Sequence, residues 1–139
     1  MKKIFAAFLS ILALVMLSST TLATNYDEVS AQSGGTSKYT DINYIAPALS
    51  VSGTTASYSL VISGKANVKS LSATLQLQVK NTNGSYTDYG SSWPASSTTS
   101  YLSTSGTKTV ASGSTYRLKV TVTAYTSTGS STETAYSPY

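Results

Sequence analysis

The feature that most constrains the fold of this chain is an alternation of apolar and polar side chains with a period of two. Between positions 71 and 79 every second residue is apolar, and the residues between them are Ser, Thr or Gln. The same pattern returns at positions 116–124, and a shorter run covers positions 58–62. This period predicts β-strands with one buried and one solvated face. The residues expected to form the core include Leu75, Leu77, Tyr116, Val120 and Val122.

Turn signals separate these runs. Asn83-Gly84 is the strongest, because both residue types tolerate the positive φ of a tight hairpin turn. It is predicted to join a strand ending near Lys80 to a strand containing Tyr86. Further turns are predicted at Gly53, Gly106, Gly113 and Gly129, and Pro47 is predicted to divide an opening strand (39–46) from the next segment (48–52). The spacing predicts an all-β fold, an antiparallel sandwich of about seven to nine strands.

The N-terminus has the pattern of a secretory signal peptide. Lys2 and Lys3 precede an apolar run over positions 4–17, and small residues follow it,. We expect a signal-peptide helix over residues 1–23, cleavage after Ala23, a flexible leader over 24–38 and one domain over 39–139. Because the apolar run is shorter than the ~20 residues of a spanning helix, stable membrane insertion after cleavage is not expected. The predicted location is secreted, extracellular.

Composition excludes several chemistries. The chain has no histidine and no cysteine, so histidine-based catalysis, thiolate chemistry and the usual zinc, haem and iron–sulfur ligands are absent,. No cofactor and no metal is expected. A glycosidase would need two carboxylates across one cleft, and Asp41, Asp88 and Glu133 are widely spaced in the sequence. We therefore predict that the protein is not an enzyme. The basic residues are dispersed, so no nucleic-acid partner is predicted.

One group of aromatic residues has two interpretations. The group comprises Tyr86, Tyr89, Trp93 and Tyr101, which lie in the least regular part of the chain. The rings could close the end and edge of the core. Alternatively, they could form an exposed binding platform for sugar rings or a protein partner.

The leading functional hypothesis is a non-enzymatic extracellular domain that contacts a protein or glycan at or near the cell envelope. One alternative is a carbohydrate-binding module that uses the aromatic platform. Another is a structural, self-assembling surface protein, which a long edge strand without Lys or Pro would indicate. An enzyme would need two of the three carboxylates within reach of one cleft.

Two resemblances accompany this interpretation. Residues 110–120 (VASGSTYRLKV) resemble the entry to the sixth strand of fibronectin type III and immunoglobulin-like domains. The resemblance implies that Tyr116 is a tyrosine-corner residue, with its ring in the core and its hydroxyl bonded to the preceding turn. The chain as a whole, including Leu75-Gln76-Leu77-Gln78, Asn83-Gly84-Ser85-Tyr86 and Trp93, is similar to an uncharacterised family of short exported proteins of Gram-positive bacteria. That similarity implies no activity.

Overall fold

A computed structural model describes residues 38–138. The predicted signal peptide and residues 24–37 of the predicted leader lie outside the described residues. The described part is all-β, as predicted, and it contains seven strands. They are β1 (Ile42–Ser52), β2 (Thr55–Gly64), β3 (Val68–Lys80), β4 (Tyr86–Ser97), β5 (Tyr101–Thr109), β6 (Tyr116–Thr126) and β7 (Ser130–Tyr136).

The strands form two antiparallel sheets that pack face to face as a β-sandwich. The three-stranded sheet has the order β1-β2-β5, and the four-stranded sheet has the order β4-β3-β6-β7. The hairpins β1-β2, β3-β4 and β6-β7 each stay within one sheet, whereas the other three connections change sheet. The edge strands of the described sandwich are therefore β1, β5, β4 and β7.

The core lies between the inner faces of the two sheets, where the alternating apolar residues meet. Leu75, Val120 and Val122 have no exposed area, Leu77 is 2% exposed and Tyr116 is 5% exposed. Strand β3 pairs with β6 in a register that places Leu75 opposite Val120 and Ala73 opposite Val122. Since directly opposed residues share one face of an antiparallel pair, this register makes one continuous apolar layer.

The predicted hairpin turn is present between β3 and β4. Gly84 has a φ of +84°, and the Asn83 side-chain oxygen accepts a hydrogen bond from the Ser85 backbone N–H at 2.9 Å. The Asn81 N–H also donates to the Ser85 carbonyl at 2.7 Å and closes the loop. Asn therefore acts through its side chain, which mimics a backbone turn, while Gly supplies the left-handed conformation.

The prediction that Pro47 ends a strand is wrong. Strand β1 continues through Pro47, which is fully buried and lies opposite Leu60 of β2. Strand β1 is an edge strand with a hydrogen-bonded neighbour on one side only. Proline is tolerated at such an edge because a strand there needs a partner for only one side of its backbone.

The prediction of a turn at Gly106 is also wrong. Gly106 lies inside β5, opposite Tyr58 of β2. A Cβ atom added at Gly106 would lie 2.8 Å from the Tyr58 hydroxyl oxygen and 3.0 Å from its Cζ. The missing side chain at position 106 therefore makes the space in which the Tyr58 ring lies across the neighbouring strand.

Strand β4 contains a bulge that a glutamine on the outer face of β3 stabilises. Leu75 and Leu77 of β3 pair with Trp93 and Tyr89 of β4, so β4 has two additional residues at this point. Gly90 adopts a φ of +67° in the bulge. The Gln76 side-chain amide donates to the carbonyls of Tyr89 at 3.1 Å and Gly90 at 3.2 Å. Carbonyl groups that lose ladder partners at the bulge thus find a side-chain donor.

Polar contacts join the segment before β1 to the β2-β3 connection. The Asp41 carboxylate accepts a hydrogen bond from the Asn67 side-chain amide at 2.9 Å, and the Lys65 ammonium donates to the Tyr39 carbonyl at 3.1 Å. The hydrogen bond from Asn67, followed by the Ser131 hydroxyl and then the nearby charge of Lys65, lowers the pKa of Asp41 below its usual value of 3.8,.

We expect Asp41→Asn to reduce the loss of stability that acid causes. A carboxyl whose pKa is lowered on folding contributes stability above its unfolded pKa and loses that contribution as the pH falls through its folded pKa. Below about pH 4, the melting temperature of the wild type should therefore approach that of the variant. Thermal melts at pH 7, 4 and 2.5 measure the difference. A difference that is constant over this range would contradict the role assigned to Asp41.

Candidate functional site

The four aromatic residues proposed as one platform lie on three different surfaces. Tyr86 is on the outer face of the four-stranded sheet, since it lies opposite Lys80. Tyr89 and Trp93 are on the inner face of the same sheet, opposite the buried Leu77 and Leu75. Tyr101 is 52% exposed and lies at the start of β5 in the other sheet. The grouping into one platform is therefore corrected by the structure.

Tyr89 extends the core around Tyr116. The two rings meet edge to face, with centroids 5.1 Å apart and planes inclined by 75°. The Tyr116 hydroxyl donates to the Ala111 carbonyl at 3.0 Å, and the Ala111 N–H donates to both tyrosine hydroxyls at 3.1 Å. The hydroxyl of Tyr116 is thus bonded to the preceding turn, the arrangement that the tyrosine-corner interpretation describes.

Trp93 closes the side of the sandwich formed by edge strands β4 and β5. Its ring is half-buried, and its centroid lies 5.0 Å from that of Tyr58 with an interplanar angle of 52°. The Lys108 ammonium lies 4.4 Å from the Trp93 centroid. The indole N–H is buried without a hydrogen-bond partner among the described residues. Trp93 therefore packs as a core residue with a cation covering its ring.

The outer face of the four-stranded sheet carries an arginine held between two tyrosines. The guanidinium carbon of Arg117 lies 4.0 Å from the ring centroid of Tyr86 and 4.1 Å from that of Tyr136. Its Nε donates to the Gln78 side-chain oxygen at 2.8 Å, and the Gln78 amide donates to Asp88 at 2.8 Å. Gln78 is only 7% exposed, although it lies on the outer face. These contacts fix the guanidinium in position and orientation.

A strip of tyrosine and threonine side chains continues from this arginine along the β6-β7 hairpin. Tyr136 is 41% exposed at one end, and Tyr125 is 44% exposed at the other. Two cross-strand threonine pairs lie between them, with hydroxyl oxygens 3.5 Å apart in Thr121–Thr134 and 2.9 Å apart in Thr123–Thr132. We name these six residues the tyrosine–threonine strip. Tyr136 lies opposite Lys119, six residues before Tyr125, so the strip is about 20 Å long,.

Two of the three carboxylates considered for catalysis have separate structural partners. Asp88 accepts a hydrogen bond from Gln78 on the outer face, whereas Asp41 accepts one from Asn67 beside the β2-β3 connection. A shallow cleft of about 280 Å³ contains none of the three carboxylates, and its lining residues are Leu49, Val51, Ser114, Thr115, Tyr116 and Pro138. Within residues 38–138, no three acidic, histidine or cysteine side chains lie together as a metal site requires.

Comparison with known protein families, with curated proteins and with solved structures finds no match of this chain in any of the three. No helix in the described part of the chain is long and apolar enough to cross a membrane.

The apolar–polar alternation in β6 is sufficient to predict part of the outer surface from the sequence. Arg117, Thr121, Thr123 and Tyr125 occupy the polar phase of the pattern whose other phase is buried. They must therefore share the solvent side of one strand. The position of Tyr136 beside them depends on the pairing of β6 with β7, which the local pattern does not contain.

Proposed function

We propose that this protein is a non-enzymatic extracellular binding domain whose contact surface is the tyrosine–threonine strip together with Arg117. The single observation that carries the proposal is the exposure of Tyr125 and Tyr136 on one face of one hairpin. Both lie on paired strands, so a ligand would meet rings whose separation is fixed. Tyrosine provides a large contact area at a low entropic cost because it has only two rotatable side-chain bonds.

An extended glycan at or near the cell envelope is the partner that this geometry favours. Tyrosine rings can stack on sugar faces, and the four threonine hydroxyls between them can donate hydrogen bonds to, or accept them from, sugar hydroxyls. The strip's length of about 20 Å suits several sugar units in a row. The extracellular location depends on the predicted signal peptide. The proposed residues differ from the earlier platform, of which only Tyr86 adjoins this surface.

A protein partner is the second candidate. Tyrosine and arginine are both enriched at protein interfaces, and the outer sheet face presents them side by side,. A flat strip with exposed rings at both ends could bind an extended protein segment as well as a glycan. Enzymatic removal of cell-surface glycans and protease treatment of the cells distinguish the two candidate partners.

The described edge strands do not support self-assembly through strand pairing. Pro47 lies in β1, and Pro94 and the bulge lie in β4. Lys108 of β5 lies opposite the buried Ala56, and Glu133 of β7 lies opposite the buried Val122, so both charges are at inward-facing positions. Proline, bulges and inward-pointing charges are devices that oppose edge-to-edge pairing.

We expect Tyr125→Ala and Tyr136→Ala each to weaken glycan binding by about tenfold, which corresponds to ~1.4 kcal/mol. The purified protein is tested on an array of bacterial and host glycans and on intact bacterial cells. Tyr101→Ala is the matched control, because Tyr101 is the most exposed large apolar residue within positions 38–138 and lies in the other sheet.

The control should bind as tightly as the wild type, and all three variants should keep the wild-type circular dichroism spectrum. Equal binding by wild type, Tyr125→Ala and Tyr136→Ala would refute the assignment of this surface. Binding that survives enzymatic removal of the cell-surface glycans but is lost after protease treatment of the cells would favour the protein partner.

A further inference from the structure

The environment of Arg117 indicates the chemical class of the ligand more specifically than the tyrosine–threonine strip does. Its guanidinium is covered by the Tyr86 ring at 4.0 Å and by the Tyr136 ring at 4.1 Å. Its Nε is bonded to Gln78 at 2.8 Å. Three side chains thus restrain a group that is usually mobile at a protein surface, and little conformational entropy remains to be lost when a ligand binds.

The terminal nitrogens of Arg117 remain available to a ligand. Among residues 38–138, the hydrogen bond shown for Arg117 is made by its Nε, and neither terminal nitrogen is a buried atom without a partner. The nearest acid on this face, Asp88, is used by Gln78. The contacts that the structure shows for Arg117 involve the Nε and the two faces of the group, and the side chain is half-buried. The Nη edge is the fork that binds two oxygens of a carboxylate, sulfate or phosphate at once.

A second cation lies close to this fork. Lys119 lies two residues along the same strand, on the same face and about 7 Å away along the chain,. Lys119 lies opposite Tyr136. This end of the tyrosine–threonine strip therefore has an exposed ring and two cations, Arg117 and Lys119. Attraction from Lys119 should add to the affinity for an anion at this end and make binding sensitive to salt.

We propose that Arg117 is the oxyanion-binding residue of this surface and that the ligand is an acidic glycan, a polysaccharide carrying carboxylate, sulfate or phosphate groups. This inference rests on the proposed function. The glycan is favoured over an acidic peptide because the cationic end continues directly into paired threonine hydroxyls and a second exposed tyrosine. An acidic group binds at Arg117, and the sugar chain runs along the hairpin toward Tyr125.

The test compares acidic polysaccharides with neutral counterparts that have the same backbone, together with two acidic polymers that contain no sugar. Polygalacturonate presents a carboxylate on each sugar, and its fully methyl-esterified form keeps the same backbone without the charge. Dextran sulfate and dextran provide the corresponding pair for sulfate, and polyphosphate tests a phosphate chain without sugars. Poly-L-glutamate tests the acidic peptide. Binding to immobilised polymer is measured by biolayer interferometry at 50 and 500 mM NaCl with the purified protein.

We expect at least one acidic polysaccharide to bind at least tenfold more tightly than its neutral counterpart. Arg117→Lys should lose about tenfold in affinity at unchanged net charge, because a lysine cannot present two parallel N–H donors. Lys108→Gln is the matched control: it removes one positive charge from β5 in the other sheet and should bind within twofold of the wild type. Arg117→Gln tests loss of the charge itself.

Several outcomes would overturn the inference. Equal binding of acidic and neutral polysaccharides would do so, as would a folded Arg117→Lys variant with wild-type affinity. No binding of either acidic polysaccharide would also overturn it, and tighter binding of polyphosphate or poly-L-glutamate would exclude the glycan. If Tyr136→Ala weakens binding of a neutral polysaccharide while Arg117→Lys does not, the surface assignment stands and only the oxyanion role fails. If no variant on this surface changes any binding, the proposed function fails as well.

Discussion

Tyr116→Ala is expected to destabilise the domain more than any other substitution proposed, including Trp93→Ala. The residue is 5% exposed, its ring packs against Tyr89, and its hydroxyl holds the segment before β6 through Ala111. Truncation of a buried aromatic side chain costs roughly 3 to 5 kcal/mol. Domains of this size have a total stability of about 5 to 15 kcal/mol, so much of the folded population would be lost on mild heating.

Tyr116→Phe is the control that separates the ring from the hydroxyl. The variant keeps the packing and removes the hydrogen bonds to Ala111, whose N–H still donates to the Tyr89 hydroxyl at 3.1 Å. The expected cost is therefore only about 1 kcal/mol. Thermal melts followed by circular dichroism should show a drop of roughly 4 to 8 °C for Phe and several times that for Ala. An Ala variant that melts with the wild type would place the ring outside the core.

Trp93→Ala is expected to have the second largest effect, a loss of about 3 kcal/mol in the free energy of unfolding. The ring fills the side of the sandwich between Tyr58 and Lys108, and its removal exposes the apolar surface of both sheets there. Because the indole is half-buried, the cost should lie at the lower end of the range for aromatic truncations. Urea unfolding measures it by circular dichroism, since the chain has no other tryptophan.

Trp93→Phe should cost much less, about 1 kcal/mol or below, because it removes a buried N–H that has no partner among the described residues,. In the wild type, the emission of Trp93 should be blue-shifted relative to free tryptophan and should shift red on unfolding. Tyr101→Ala, at an exposed ring, should leave the urea midpoint unchanged. A Trp93→Ala midpoint equal to that of the wild type would show that the ring does not support the sandwich.

The core and the hairpin turn could be predicted from the sequence because both have local causes. The alternation in β3 and β6 follows from the geometry of a strand with one buried face, and each strand of this type shows it separately,. Asn83 and Gly84 specify a turn through their own conformational preferences. No knowledge of which strands are neighbours is needed for either inference.

The two wrong predictions, at Gly106 and Pro47, concern residues whose local structure depends on a neighbouring strand or on the order of strands in the sheet. Gly106 is a strand residue because the Tyr58 ring lies over it, and the same glycine without that neighbour would suggest a turn. Pro47 is accepted within β1 because β1 is an edge strand, a property of sheet order. Both facts depend on tertiary pairing, so local sequence preferences gave the wrong structure at each position.

The candidate site was missed for a related reason. Tyr86 and Tyr89 are three residues apart, which places them on opposite faces of any regular strand, but residues 86–97 lack the apolar alternation that would identify them as one,. The surface formed by Arg117 and Tyr136 joins residues 19 positions apart through the register of β6 with β7. The sequence identified the solvent side of β6 and did not identify what lies beside it.

The placement of the basic residues has a consequence for proteolysis. Within residues 38–138, Lys65 is the only Lys or Arg in a connection between two strands, and its ammonium is tied to the backbone ahead of β1. Proteases that cut after basic residues need a stretch of chain that can leave the fold and enter their active site. Cleavage after the basic residues of β3, β5 and β6 therefore requires a strand to open, so resistance at these sites should follow the stability of the whole sandwich,. Apart from Lys65, the serine- and threonine-rich connections between the seven described strands offer such enzymes no basic residue at which to cut.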